Sequence, residues 1–227
     1  MPSKTPRNRK SVAAFLPKVK TLPALQKAAG DCQGCDLYRR ATQTVFGEGS
    51  PRAALLFVGE QPGDMEDRAG HPFVGPAGNL LHKALNEAKI PRQEVYVTNA
   101  VKHFNWEPLG KKRKHKRPSS SEVAACQPWL LAEISAVNPV IVVCLGVIAA
   151  ESMLGRAVRL NDEGGKFHQS ELGPLTYVTI HPSLVLRQPE KKDRDAQYAR
   201  LLHDFKEIRK KLLTLRIEGA RKPATTD

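Results

Sequence analysis

The chain has 227 residues, of which 41% are hydrophobic and 26% charged, and its net charge is +13. This length and composition predict one main globular domain. No stretch approaches the roughly 20 apolar residues that a membrane span needs, and the N-terminus lacks the apolar segment of a secretion signal, so we expect a cytoplasmic protein without a membrane partner.

The positive charge is concentrated in two segments. Residues 1–20 carry six Lys or Arg and no acid, and the run Lys111-Lys112-Arg113-Lys114-His115-Lys116-Arg117 carries six more cations. The rest of the chain is nearly neutral, which favours a nucleic-acid footprint, with a membrane surface as the weaker alternative. We predict a basic flexible tail at residues 1–25, a folded domain at 26–213 and a C-terminal tail at 214–227.

Four short runs rich in Val, Ile and Leu predict buried strands at residues 53–58, 95–98, 140–145 and 175–180. Helical spacing is found at residues 80–88, and Ser119 to Glu122 form a possible capping box for a helix to about Ile134. Further helices are predicted after Gly146 and over residues 193–213, with a hairpin or long loop at 156–174. The alternation predicts an α/β fold, a three-layer α/β/α sandwich around a central four-stranded parallel sheet.

Polar residues follow three of these strands directly: Glu60-Gln61, Asn99 and His181. Ligands of open parallel sheets bind beyond the carboxyl ends of the strands, so we expect these side chains to share one site. Phe73, in the Gly- and Pro-rich segment 59–81, offers a flat face for stacking a base. Each residue also has an ordinary structural interpretation, as a turn former, a cap, an exposed carboxylate or a core side chain.

Four motifs in this order resemble the uracil-DNA glycosylase superfamily, and most closely its UdgX type. They are GEQPGDMEDRAGHPFVGPAG at residues 59–78, VTNAVKH at 97–103, the basic run, and His181-Pro182-Ser183. The resemblance covers about residues 30–210. It implies an enzyme that excises uracil from DNA, and we expect uracil-containing DNA, preferably single-stranded, as the partner of a monomer.

The resemblance also implies a role for each site residue. Asn99 would pair with uracil, Gln61 and Phe73 would line the base pocket, and His181 would stabilise the charge on the leaving base. In the UdgX type the His of the basic loop, here His115, attacks the sugar and leaves the protein bonded to DNA, with Glu60 orienting the imidazole or steadying the cationic sugar. The predicted DNA contacts are Lys111, Lys112, Arg113, Lys114, Lys116, Arg117, Ser183 and Arg187.

Two features of the basic run bear on this capture. The like-charged neighbours are expected to lower the pKa of His115 and keep it neutral and nucleophilic. Lys114 departs from the family pattern, which has an apolar residue before the His, and this puts the efficiency of trapping in question.

Cysteines predict a metal centre. The pair Cys32-x2-Cys35 stands near the start of the predicted domain; the resemblance adds Cys126 as a ligand and places His103 at the position of the remaining one. Cys144 lies inside a Val-rich strand and is excluded. The implied cofactor is a [4Fe-4S] cluster, with zinc as the alternative because Cys3His suits both.

Two other functions stay open at this point. One is a turnover glycosylase in which the basic loop only binds phosphate. The other is a non-catalytic iron–sulfur or zinc module that binds DNA.

Overall fold

A computed structural model describes residues 12–170 and 172–221 of the protein. The helices are α1 (Leu22–Ala29), α2 (Asp64–Ala69), α3 (Pro76–Glu87), α4 (Ser120–Val137), α5 (Val147–Leu154), α6 (Leu160–Glu163), α7 (Pro182–Leu186) and α8 (Lys191–Arg221). The strands are β1 (Glu48–Gly49), β2 (Leu55–Gly59), β3 (Val95–Asn99), β4 (Trp106–Leu109), β5 (Lys112–His115), β6 (Ile141–Leu145), β7 (Lys166–His168) and β8 (Leu175–Thr179). Within the described ranges, no helix is both long and apolar enough to cross a bilayer.

In the described part of the chain, the main sheet has six strands in the order β1-β3-β2-β6-β8-β7. Its four central strands are parallel, and β1 and β7 pair antiparallel at the two edges. Strands β2, β3 and β6 are buried along their whole length, as expected for parallel strands covered on both faces. The predicted α/β/α sandwich and its four parallel strands are confirmed; the edge strands are too short to give a periodic apolar signal.

Helices cover both faces of the sheet. On one face, α3 and α8 bury Leu81 and Phe205 against the strands, and on the other, α4 and α5 bury Leu130 and Ile148. A third apolar cluster joins the N-terminal segment to α4 around Trp129. The predicted capping box opens α4, because Ser119 Oγ accepts the Glu122 N–H at 3.3 Å and the Glu122 carboxylate accepts the Ser119 N–H at 2.7 Å.

The basic run differs from its sequence interpretation as a loop. Strands β4 and β5 form an antiparallel hairpin that pairs Trp106 with His115 at its base, with Gly110 at the tip in the left-handed region at φ 57°. A strand composed of Lys and Arg has no apolar alternation, so the sequence does not reveal it. The hairpin therefore holds His115 in a fixed register.

The edges of the predicted domain also differ. Val12 and Leu25 are buried in the third cluster, so packing begins before residue 26, and α8 continues beyond residue 213. Residues 1–11 of the predicted basic tail, which contain four of its six cations, and residues 222–227 lie outside the described residues. In the segment predicted as a hairpin or long loop, α6 precedes the short strand β7.

Candidate active site

A cavity of about 570 Å³ opens at the carboxyl ends of the central strands. Its walls include all six residues predicted to do chemistry or read a base: Glu60, Gln61, Phe73, Asn99, His115 and His181. Three predicted DNA contacts, Arg117, Ser183 and Arg187, also line it, whereas residues 111–114 and 116 do not. Parallel pairing accounts for this convergence because it places all the strand ends at one edge.

The floor of the cavity depends on a glycine. Asn99 ends β3 directly beside Gly59 of β2, and a Cβ on Gly59 would lie 2.3 Å from Asn99 Oδ1 and 2.8 Å from Phe73 Cζ. Only glycine therefore lets these two side chains approach each other here. Asn99 is 4% exposed, and no described residue hydrogen-bonds its side-chain amide, which leaves both the oxygen and the NH2 group for a ligand.

Phe73 is held in an uncommon backbone conformation. Its φ is 56°, and its carbonyl lies so close to Gly78 that any Cβ at Gly78 would clash. Its ring stacks against that of His181, with ring centroids 6.2 Å apart and planes inclined by 27°. The aromatic face that the sequence predicted is thus part of the cavity wall.

His181 is fixed as a neutral imidazole of defined tautomer. Its Nδ1 accepts the Ser183 N–H at 3.1 Å, so the proton of the neutral ring resides on Nε2. Burial, together with Arg187 and His115, lowers the pKa of His181 to about 4. The ring can therefore donate a hydrogen bond from Nε2 throughout the neutral range.

Gln61 bonds His115 directly. Its Oε1 accepts the Asn105 N–H at 3.1 Å, and its Nε2 donates to the carbonyls of Asn105 at 3.2 Å and Lys116 at 3.1 Å. These partners fix the amide orientation, so the Gln61 NH2 group also faces His115 Nε2, at 2.8 Å. The NH2 group has two hydrogens for three acceptors, so one hydrogen is shared between a carbonyl and the lone pair that the neutral His115 ring carries on Nε2. The amide predicted to line the base pocket thus also anchors the hairpin.

His115 also lies beside a carboxylate. Its Nε2 is 3.6 Å from Glu60 Oε1, a buried oxygen with no hydrogen-bond partner among the described residues. Burial lowers the pKa of His115, Glu60 raises it and Arg187 lowers it. The direction agrees with the sequence prediction but the cause does not, because the pKa is lowered by burial and by Arg187 and not by the Lys and Arg residues of the basic run.

Similar proteins of known family support the assignment of this cavity as an active site. The family profile described as "Uracil DNA glycosylase superfamily" matches residues 46–206. The chain belongs to this superfamily. Curated relatives include a Type-4 uracil-DNA glycosylase of Pyrobaculum aerophilum, 35% identical over 74% of this chain and 86% of the relative. Those of Thermotoga maritima and Sulfurisphaera tokodaii are 38% identical over 69% of this chain and 78% of theirs, and 31% identical over 86% of both chains.

In this member of the superfamily Arg113, which the sequence predicted to contact DNA, anchors the hairpin. Its side chain is only 14% exposed, and its guanidinium donates to the carboxylates of Asp64 and Asp67 and to Thr42 Oγ1. It also lies over the Phe104 ring, 5.4 Å from the centroid. This multiply bonded, largely covered guanidinium holds the hairpin on α2.

Lys114 lies on the outer face of the hairpin. It is paired across the strands with Glu107, and its Nζ is 3.1 Å from Glu107 Oε1, with both side chains about half exposed. The charge that departs from the family pattern is therefore matched by an acid on the neighbouring strand, away from the cavity.

Lys114→Ile is consequently expected to leave excision and any adduct formation unchanged. An exposed pair of this kind stabilises by at most about 1 kcal/mol. The measurement is the rate of both reactions on a uracil-containing oligonucleotide, with Arg113→Gln as the contrasting variant, since it frees the hairpin from α2. A large loss in Lys114→Ile would show that this position acts on the site.

Sequence reasoning missed a buried ion pair behind the floor of the cavity. Lys102 and Glu133 contact each other with 1% and 0% of their side chains exposed. Lys102 Nζ also donates to the Asn99 carbonyl at 2.7 Å and to Thr98 Oγ1 at 2.6 Å, and Glu133 accepts the Tyr96 hydroxyl at 3.0 Å. The signal was present, since Glu133 is a lone acid in an apolar stretch of α4. The pair fixes the end of the strand that carries Asn99.

Three of the four predicted metal ligands share one buried cluster: Cys32, Cys35 and Cys126. N–H donors face two of the sulfurs, from Trp129 Nε1 to Cys32 Sγ at 3.2 Å and from the Lys102 backbone to Cys126 Sγ at 3.3 Å. The fourth, His103, is buried and has its Nε2 2.8 Å from Thr44 Oγ1. Among the described residues no group of three or more ligands stands at coordinating distances.

Proposed function

We propose that the protein excises uracil from DNA and then becomes bonded to the abasic sugar through His115. The observation that carries the proposal is the neutral, nucleophilic imidazole at the wall of the cavity that also holds Asn99. The Type-4 uracil-DNA glycosylases among its relatives support uracil excision. Uracil-containing DNA, preferably single-stranded, is the proposed partner of a monomeric protein.

Base recognition follows from the floor of the cavity. The unengaged amide of Asn99 has the acceptor and the donor that the uracil O4 and N3–H edge require, and Phe73 supplies a stacking face. His181 donates from Nε2 to uracil O2 as negative charge develops on the leaving base. A donor that is already neutral and oriented stabilises that charge without first losing a proton.

Capture then needs only the lone pair of His115. The bond between C1′ and uracil N1 breaks, its electron pair leaves with the base, and the imidazole nitrogen forms a bond to the electron-poor C1′. The ring becomes cationic on alkylation and is neutralised by loss of its other N–H proton. Glu60, 3.6 Å away with a buried unpaired oxygen, steadies the positive charge on the sugar and then on the ring.

Turnover without capture is the second candidate, and one contact favours it. Gln61 donates to the same Nε2 lone pair that would attack the sugar, so capture requires that bond to break. A uracil-containing single-stranded oligonucleotide, analysed on a denaturing gel, tests the proposal. A denaturation-resistant shifted band supports capture, free abasic DNA alone supports turnover, and unchanged DNA would leave only a binding module.

The rate of adduct formation is expected to be constant from about pH 8 to 7 and to fall only when the pH drops below 6.5, the ordinary pKa of a His side chain. Protonation removes the attacking lone pair, and burial and Arg187 outweigh Glu60, so the pKa of His115 is lowered. His181, which also faces it, has a pKa of about 4 and stays neutral over this range. The measurement is the single-turnover rate of adduct formation against pH; a midpoint above 7 would mean that Glu60 dominates.

We further propose that Cys32, Cys35 and Cys126 hold a [4Fe-4S] cluster with His103. Burial raises the pKa of Cys126 to about 12, so without a metal it stays a thiol. A buried set of sulfurs that receives N–H donors fits cluster thiolates. His103 has Nδ1 left for the metal, because Nε2 is bonded to Thr44. The cluster would supply a structural link between the N-terminal segment and α4, with zinc as the alternative.

Cys126→Ser is expected to remove the metal. Anaerobically purified, metal-replete wild-type protein should contain about four iron atoms per chain and a broad visible absorption band, and the variant should lose both. Cys144→Ser, a matched change of a cysteine buried in β6, should keep them. One zinc per chain in the wild type, with no visible band, would contradict the iron assignment.

A further inference from the structure

A second cavity, of about 380 Å³, adjoins the candidate active site. Arg117 lines both cavities. The other walls of the second cavity come from the segment around Arg40, from the base of the hairpin at Asn105 and Lys116, and from the start of α4. His115, Lys116 and Arg117 are consecutive, so the chain passes directly from the first cavity into the second.

This part of the chain is firmly held. The Lys116 N–H donates to the Asn105 carbonyl at 2.9 Å, the Lys116 carbonyl accepts from Gln61 at 3.1 Å, and Asn105 Nδ2 donates to the Arg117 carbonyl at 3.2 Å. The ridge between the two cavities is therefore fixed on both sides. A ligand in the second cavity has a defined position relative to His115.

The cavity carries an excess of available positive charge. Within the described structure, Arg40 and Lys116 have no carboxylate within ion-pair distance, and Arg117 reaches Glu151 only at 3.8 Å. Of the two acids in the wall, Asp36 pairs with Arg39 at 3.4 Å, and the carboxylate of Glu122 accepts the Ser119 N–H at 2.7 Å at the N-terminus of α4, where the helix dipole partly offsets its charge. An anion would meet cations whose charge is not yet compensated.

The side chains that line the second cavity suit a phosphate group better than a base. None of the lining residues is aromatic, so the cavity offers no face on which a base could stack. Lys and Arg side chains are the usual partners of backbone phosphates. A strand that places its sugar at His115 can bring one of its flanking phosphates to this ridge.

We propose that the second cavity binds a backbone phosphate that flanks the excised nucleotide, through Arg40 and Lys116. The proposal rests on the function proposed above, which places the sugar at His115. Arg40 precedes the segment that matches the family profile, so this contact belongs to a part of the chain outside that match.

The test measures binding of a single-stranded oligonucleotide with one 2′-fluorinated deoxyuridine, which resists excision, at several salt concentrations. Arg40→Gln and Lys116→Gln are each expected to weaken binding, and the double variant, which removes both partners of the one phosphate, to reduce the slope of log K against log salt by about 0.7. Arg52→Gln is the matched control, because Arg52 is exposed and lies just before β2, at the amino end of the parallel strands and so away from the cavities at their carboxyl ends. It should leave the slope unchanged.

Neutral methylphosphonate linkages then locate the phosphate. When one flanking position is neutralised, wild type and Arg40→Gln should bind equally, whereas at other positions the difference should persist. A difference that persists at every position, or a slope unchanged in the double variant, overturns the subsite. Equal wild-type affinity for uracil- and thymine-containing strands would instead count against the proposed function, so the two failures are distinguishable.

Discussion

His115→Ser is expected to abolish the covalent adduct while uracil release continues. The serine hydroxyl has no lone pair of comparable basicity, and the shorter side chain opens the space beside Glu60. Water can then reach C1′ and complete an ordinary hydrolysis. The measurement is a denaturing gel that follows adduct and abasic DNA in the same reaction.

Two comparisons make this result decisive. His71→Ser removes an exposed imidazole near β1, where it contacts Glu48, and should leave adduct formation unchanged. Gln61→Ala frees the Nε2 lone pair but also removes the contacts that position the hairpin; we expect the lost positioning to dominate, so capture should slow without being eliminated. An adduct that persists in His115→Ser would remove this residue from the mechanism. Loss of both excision and adduct would instead assign His115 to uracil removal itself.

Lys102→Met is expected to destabilise the protein by about 3–5 kcal/mol. The substitution leaves the Glu133 carboxylate buried and without its cation, although Gly47, Tyr96 and Thr98 still donate to it. A buried charge without a partner is costly because no water replaces the lost interaction. The measurement is urea unfolding at pH 7, with metal content matched between the proteins.

The double variant Lys102→Met/Glu133→Gln separates charge from packing. It removes both charges and should recover much of the lost stability, because a neutral amide can keep hydrogen bonds to the neighbouring donors. Lys206→Met, an exposed lysine on α8, should change stability by less than about 0.5 kcal/mol. A loss below about 1 kcal/mol in Lys102→Met would mean that the pair is not fully desolvated in solution.

The Lys102 variants also test whether the buried ion pair positions Asn99 for uracil excision. Lys102 Nζ holds the Asn99 carbonyl at 2.7 Å, so its loss should reduce excision more than the fraction of folded protein explains. In this way the buried pair connects the stability of the core to base recognition.

Much of the architecture was predictable because it rests on short-range signals. Runs such as 140–145 are apolar throughout, which identifies strands buried on both faces, and their alternation with helices implies parallel pairing. The strand ends then placed Glu60, Asn99 and His181 at one edge. The hairpin was missed because its second strand, β5, consists of Lys, Arg and His and has no apolar alternation, while α2 and Gln61 hold it in place.

Apolar periodicity and motifs that are continuous in the chain were enough to predict the fold class, the family and the strand-end residues that line the cavity. Which cations are free depends instead on contacts between distant segments. Arg113 forms ion pairs with Asp64 and Asp67, and Lys114 forms one with Glu107. In the described structure Arg40 and Lys116 have no carboxylate partner. The reason is physical: a charge is compensated by whatever lies within a few ångströms, and those neighbours come from segments distant in sequence.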